Sequence, residues 1–164
     1  LEFAINYQNL YHSHISFFSV MRALIQRVSS ASVTVDQHIV GAINLGVLVF
    51  LGIERDDSAD SVEPLVERII NYRIFSDSKG HMNYSLLDIG ASMLLVSQFT
   101  LVADTKKGNR PSFSSAANPE LARHLYNLFL DNSRKKCDVH SGIFGADMKV
   151  NLCNEGPVTF LLER

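Results

Sequence analysis

Met93-Leu94-Leu95-Val96-Ser97-Gln98-Phe99-Thr100-Leu101 joins an apolar run of strand length to a cluster of two hydroxyls, an amide and an aromatic ring. The run reads as a buried strand, and the spacing extends it to Val102, because Leu101, Val102 and Ala103 keep the chain hydrophobic beyond the polar cluster. Polar groups inside a hydrophobic segment cost free energy unless they are hydrogen-bonded. Two readings follow. One is a cross-strand hydrogen-bond network with a purely structural role; the other is a catalytic rim at a strand end, formed by Ser97, Gln98, Phe99 and Thr100.

Working back toward the N-terminus, Val62, Leu65, Val66, Ile69 and Ile70 recur at the spacing of one helical stripe, with Asp60 or Ser61 placed to cap it and Pro64 in the first turn. Gly46 to Ile53 is apolar throughout and reads as a central strand covered on both faces. Before it, Arg22–Val28 reads as one strand and Ser32–Asp36 as a second. A turn at Asp36-Gln37-His38 leads to a return strand over Ile39–Ile43. Arg73–Phe75 begins a further strand, Asp77–Gly80 is a turn, and His81–Gly90 is a polar connection.

Downstream, Thr105–Ser112 is a loop of turn formers and basic residues, among them Lys106, Lys107 and Arg110. Asn118-Pro119-Glu120 is a helix start, with a capping Asn, Pro at the first helical position and an acid in the first turn. Leu121, Leu125, Leu128 and Phe129 mark its buried face, and Arg134-Lys135-Lys136 suits its negative end. Val139–Phe144, Met148–Leu152 and Pro157–Leu162 read as three closing strands. The pattern lacks regular βαβ alternation, and the class it predicts is α+β: one β-rich domain with mainly antiparallel strands and two principal helices.

Composition narrows the function. In 164 residues the hydrophobic fraction is 46% and the charged fraction 20%, with a formal net charge of −2, so no global basic field announces nucleic acid. Any RNA contact has to come from a local patch: Lys106, Lys107 and Arg110, or Arg134–Lys136. Cys137 and Cys153 are far apart in sequence, which argues against zinc and a disulfide framework and fits a reducing compartment. No apolar stretch reaches membrane-spanning length. Residues 1–20 carry a single charge, Glu2, and match neither a secretory nor a mitochondrial leader; the expectation is a non-native or upstream extension, with residues 21–164 as the domain.

Standard nucleotide, nucleophile-elbow and zinc-protease motifs are absent. His38, His81, His124 and His140 are scattered, and lone histidines are more often surface residues than bases. The second informative stretch is Asn154-Glu-Gly-Pro-Val-Thr159. Gly156-Pro157 interrupts what read as two strands, and Asn154 and Thr159 bracket it with polar side chains. Either it is a plain turn, or it is a stiffened feature with a cis peptide, the isomer that X–Pro bonds alone adopt readily.

With these residues in view, the chain from Met21 to Arg164 resembles the D-aminoacyl-tRNA deacylases, in the D-tyrosyl-tRNA(Tyr) deacylase family. The likeness rests on Met21–Val28, Ser97–Leu101, Gly108-Asn-Arg-Pro-Ser-Phe113 and Asn154–Thr159. The resemblance implies a cytoplasmic homodimer that acts on aminoacyl-tRNA without metal or other cofactor. It implies that Ser97, Gln98, Phe99 and Thr100 line the ester pocket. Gly156 and Pro157, as a cis pair, would enter the partner subunit's pocket and reject L-amino acids. Arg27 would hold that loop, Asn154 and Thr159 would support it, and Lys106, Lys107 and Arg110 would meet the tRNA. A related animal type carries Pro-Gln where this chain has Ser97-Gln98. Two rival functions stay open on the residues alone: a nucleic-acid-binding module without turnover, and a hydrolase of small esters or amides.

Overall fold

Ser29 is the residue that bends the sheet. The computed structural model describes residues 21–164, so the expectation for residues 1–20 lies outside the described residues. Strand β1 (Arg22–Val35) runs unbroken for 14 residues where the sequence reading divided it in two. Against β8 (Lys149–Glu163), Val28 faces Asn154 and Ser30 faces Cys153, leaving Ser29 as an extra residue on β1. Such a bulge bends its strand. The N-terminal half of β1 pairs antiparallel with β3 (Gly46–Gly52), and its C-terminal half pairs antiparallel with β2 (His38–Ile43). Asp36 and Gln37 turn that hairpin at φ 47° and 67°, the paired left-handed conformation that suits strand twist.

Across the sheet from β3 to its far edge the pairing is parallel. After β3 come α1 (Val62–Ile70), β4 (Phe75–Ser76), β5 (Met82–Tyr84), α2 (Leu86–Ile89) and β6 (Ser92–Ser97), which lies parallel to β3. Helix α3 (Pro119–Arg134) then returns the chain to β7 (Val139–Ser141), parallel to β6. The sheet is therefore mixed: antiparallel around β1, parallel across β3, β6 and β7. Each parallel step contains a helix, as crossover connections require.

Central strands β3 and β6 separate two cores. Val47, Val49, Leu51, Met93 and Leu95 face the helices, meeting the buried stripe Val62, Leu65, Val66, Ile69, Ile70 of α1 and Leu125, Tyr126, Phe129 of α3. Leu48, Leu94 and Val96 alternate to the other face and pack under Val28, Ala31 and Val33 of bent β1. Both faces of β3 are covered, as its apolar run predicted. On α3, Leu121 and Leu128 sit at the margin of the buried face, which centres on Leu125, Tyr126, Phe129 and Leu130. Asn118 caps this helix by accepting from the Leu121 N–H at 2.9 Å.

Besides the division of β1, three sequence readings need correction. The Met93–Val102 strand stops at Ser97, and Phe99–Val102 forms a 3-10 turn. The three closing strands are two: β7 is short, and β8 carries the chain through Asn154–Thr159 as one 15-residue element. The connection His81–Gly90 contains β5 and α2, the latter opened by a capping box between Ser85 and Asp88.

Candidate active site

Strands β3 and β6 end side by side, Leu51 opposite Ser97, and a cavity of about 470 Å³ opens at these carboxyl ends. That is where open parallel sheets place ligands. Leu51, Ile53, Val96 and Ser97 form one side; Ala116, Ala117 and the first turn of α3 form another; Phe144–Ala146, Met148 and Val150 complete it. The walls are apolar and partly built from small side chains, with polar groups gathered at the rim, a typical ligand-site composition. Arg123 lies over the Phe144 ring, 4.8 Å from its centroid, and Tyr126 packs against the same ring at 5.4 Å.

The rim is the 3-10 turn. Gln98 N–H continues the strand by donating to the Leu51 carbonyl at 2.8 Å, after which the chain tightens into Phe99–Val102. A turn of this kind leaves its opening N–H groups, here those of Phe99 and Thr100, without acceptors inside the turn. Gly52 makes the tight seating possible: a Cβ there would stand 3.0 Å from both Leu101 Cβ and Val102 Cγ1. Ser97, Gln98 and Phe99 border the cavity. Thr100 is exposed, and its hydroxyl accepts from the Gln98 side-chain amide at 2.5 Å. An amide cannot take a proton from that hydroxyl, so the arrangement does not make Thr100 an activated nucleophile. Phe99 is 61% exposed and leans on Phe113 at a centroid distance of 5.0 Å. Phe113 lies in the Gly108–Phe113 stretch and was not among the expected site residues.

Gly156 and Pro157 lie outside this cavity. Gln26 pairs with Thr159 and Val28 with Asn154, so Glu155, Gly156, Pro157 and Val158 of β8 all stand opposite Arg27 alone. They form a bulge, and the Gly156–Pro157 peptide is cis. Arg27 pairs with Val47. Val47 to Leu51, at about 3.3 Å per residue, puts roughly 13 Å of strand between the bulge and the cavity end. The bulge is tightly held. Arg27 Nε donates to the Glu155 carbonyl at 3.0 Å and Nη1 to the Ile74 carbonyl at 2.6 Å. Asn154 accepts from the Val158 N–H at 2.9 Å and donates to the Thr159 hydroxyl at 2.8 Å. Gln26, which the sequence reading passed over, donates to that hydroxyl at 3.1 Å. Its position one residue before Arg27, on the strand facing the motif, is the signal that was available.

Lys106, Lys107 and Arg110 are exposed in a loop pinched off by pairing between Asp104 and Ser112. The alternative patch is compromised, since Lys136 contacts Glu63 at 2.9 Å and Glu67 at 2.6 Å. One constellation resembles a triad without being one. Ser92 Oγ donates to Asp138 at 2.6 Å, with His140 3.6 Å from the same carboxylate. The carboxylate sits in the middle, so no imidazole reaches the hydroxyl. Among the described residues, no group of three His, Cys, Asp or Glu side chains could hold a metal ion, and no helix is long and apolar enough to cross a membrane.

Fold and site together define a small α+β domain with a ligand cavity at the end of a parallel strand pair. The family described as D-Tyr-tRNA(Tyr) deacylase matches residues 24–163. The D-aminoacyl-tRNA deacylase of Shewanella denitrificans is 56% identical over 144 residues, covering 87% of this chain and 99% of that protein. That of Vibrio cholerae is 54% identical over 143 residues, with the same coverage of both. The chain therefore belongs to the D-Tyr-tRNA(Tyr) deacylase family, and as a member it is an enzyme, a hydrolase of ester bonds. Among solved structures, a c-Myc DNA unwinding element binding protein superposes with a TM-score of 0.83 at 41% identity, covering 87% of this chain and 98% of that one. A probable eukaryotic D-amino acid tRNA deacylase shares the fold at a TM-score of 0.77 and 19% identity, covering 88% of this chain and 100% of that one.

Proposed function

We propose that residues 21–164 hydrolyse the ester joining a D-amino acid, or glycine, to the 3′-terminal adenosine of tRNA, and reject L-aminoacyl-tRNA. The observation that carries this reading is the separation of two well-built halves. Ser97, Gln98 and Phe99 border the cavity, while the braced Gly156–Pro157 bulge takes no part in its lining. In a homodimer each bulge would enter the other subunit's cavity. Support for such pairing comes from β8, which among the described residues pairs along one edge only and leaves Leu152 and Leu161 exposed. Long unpaired strand edges invite a partner.

The chemistry is then positioning and charge stabilisation. A water oxygen attacks the ester carbonyl carbon, and the developing oxyanion meets the N–H groups of Phe99 and Thr100, where one donor is worth about 3 kcal/mol. The neighbouring 2′-hydroxyl assists the attack by taking the water's proton as it passes its own to the ribose 3′ oxygen, which leaves as a hydroxyl when its bond to the carbonyl carbon breaks. The engaged Thr100 hydroxyl supports this over a threonine nucleophile. Selection works by exclusion: Gly–Pro backbone set close to the substrate Cα leaves space for hydrogen but not for an L side chain, and glycine has nothing to exclude. Lys106, Lys107 and Arg110 contact the tRNA. The enzyme works in the cytoplasm, needs no metal or cofactor, and residues 1–20 stand outside the catalytic domain.

Release of D-tyrosine against L-tyrosine from charged tRNA tests the reading. Cleavage of the D-ester alone is expected; cleavage of neither would sink it in favour of a binding module, and cleavage of small esters only would favour the other rival. A tRNA ending in 2′-deoxyadenosine should be cleaved far more slowly, and equal turnover would return the role to Thr100.

A further inference from the structure

Arg22, which does not line the cavity, meets several chain segments at the 3-10 turn. Its Nη1 donates to the Leu101 carbonyl at 3.3 Å, and its Nη2 stands 3.0 Å from Glu54 Oε1. Arg22 Nε lies 3.4 Å from Glu163. Arg22 Nε and Glu54 Oε1 are themselves shielded from solvent and lack hydrogen-bond alignment, while the side chains that carry them stay partly exposed, so these contacts are electrostatic ones.

Glu54 is in turn fixed to the opposite cavity wall. It bridges Ala116, while Arg55 N–H donates to the Ser115 carbonyl at 2.9 Å and Ala117 N–H to the Ile53 carbonyl at 3.0 Å. Ser115 Oγ donates to the Val102 carbonyl, the end of the same turn. A closed circuit results, running from Leu101 through Arg22, Glu54 and the Ser115–Ala117 wall back to Val102. A short 3-10 turn has too few internal bonds to hold its own geometry, so an external brace matters more here than on a long helix.

We propose that Arg22 and Glu54 form a brace locking the Phe99–Val102 turn to the Ser115–Ala117 wall, making Arg22 a positioning residue for turnover. The link to turnover rests on the deacylase reading; the brace itself does not. The charged groups facing Glu54 are Arg22 from β1, Glu163 from β8, and Asp56 and Asp57 from its own loop, with Asp57 already accepting from the Glu54 N–H at 2.7 Å. Burial pushes the Glu54 carboxyl above its ordinary range, Arg22 pulls it down, and the neighbouring carboxylates add to the rise. As pH falls through this raised value the carboxylate is neutralised and the brace loosens.

Amide hydrogen exchange and D-tyrosyl-tRNA hydrolysis, measured on the parent, Arg22→Met, Arg22→Lys and Glu54→Gln, test it. Exchange over residues 98–103 and 115–117 should quicken about tenfold in Arg22→Met and Glu54→Gln, as loss of one charged contact would allow. With KM within about twofold, kcat should fall by a similar factor, and Arg22→Lys should recover part of it. The ratio of parent to Glu54→Gln kcat should approach one as pH falls. Unchanged exchange over 98–103 in every variant overturns the brace, whether or not the parent cleaves. Faster exchange with unchanged kcat overturns its part in turnover. A parent that cleaves neither enantiomer refutes the deacylase reading, and exchange then decides the brace alone.

Discussion

Arg27 Nε donates to the carbonyl of Glu155 at 3.0 Å, tying the second residue of the Asn154–Thr159 motif to the first strand. The same guanidinium reaches the Ile74 carbonyl, so one side chain bolts the Gly156–Pro157 bulge to the loop after α1. Lysine has three donors but gathers them on one nitrogen, without the guanidinium's fixed fork, so it would hold the two carbonyls less well. Replacing Arg27 by Ala removes two charge-assisted bonds, each worth about 1.5–3 kcal/mol. If the bulge reads chirality, the D-to-L ratio of kcat/KM should fall by about ten- to a hundredfold, with Arg27→Lys intermediate. An unchanged ratio would separate Arg27 from selectivity.

Gly156 has φ +126°, where an L side chain is strained, and a Cβ there would stand 2.8 Å from Val158 Cγ2 and 2.9 Å from Arg27 Nη2. Gly156→Ala must therefore distort the bulge or dislodge Arg27. A stability loss of about 1–3 kcal/mol is expected in urea unfolding. Because both substitutions act through one bulge, the double variant with Arg27→Ala should lose less selectivity than the two single losses combined. Full additivity would show that they act separately.

How far the sequence reveals this fold depends on what sets each element. The stripe of α1, the Asn118 cap and the doubly buried β3 are local patterns, and each is readable as it stands. Ser29 and Ser30 look like a break between strands, because a bulge and a loop have the same polar composition; only pairing with β8 shows that β1 continues. Gly156-Pro157 misleads in the same way. Phe99, Leu101 and Val102 are apolar enough to extend a strand, and only seating on Gly52 turns them into a 3-10 element. The Ser85–Asp88 capping box was legible and passed over. Strand direction was not, since the parallel pairing of β3 with β6 is set by how α1 packs over the sheet. Ser97–Thr100 and Gly156–Pro157 stood out because they break hydrophobic patterns; Arg22, Gln26 and Glu54 break none, and their partners are distant in sequence.

Lys136 joins the end of α3 to α1 through Glu63 and Glu67. Hydrogen bonds from Glu67 first and Glu63 second raise its ammonium from 10.5 to about 12. A raised folded-state value means the contribution is complete below the unfolded value near 10.5 and disappears as pH climbs through 12. Lys136→Met should therefore lower Tm at pH 8, and the gap from the parent should narrow only above about pH 10.5. A gap that stays constant to pH 12 would assign the loss to packing of the lysine stem instead.

The loop after the Phe99–Val102 turn offers Lys106, Lys107 and Arg110 to solvent, whereas Lys136 of the other basic cluster is engaged by carboxylates. Charge that is free to meet phosphate has a measurable signature. Each neutralised phosphate releases counterions and steepens the salt dependence of binding by roughly 0.7–0.9 in log K against log salt. If both lysines meet phosphate, changing Lys106 and Lys107 to Ala should weaken tRNA binding and flatten that slope by about 1.4–1.8. Turnover of bound D-tyrosyl-tRNA should persist, because neither side chain borders the cavity. Changing Arg134 and Lys135 to Ala is the matched comparison and should leave the slope close to the parent's. Should that pair flatten it instead, the tRNA lies across the end of α3 rather than over the Asp104–Ser112 loop.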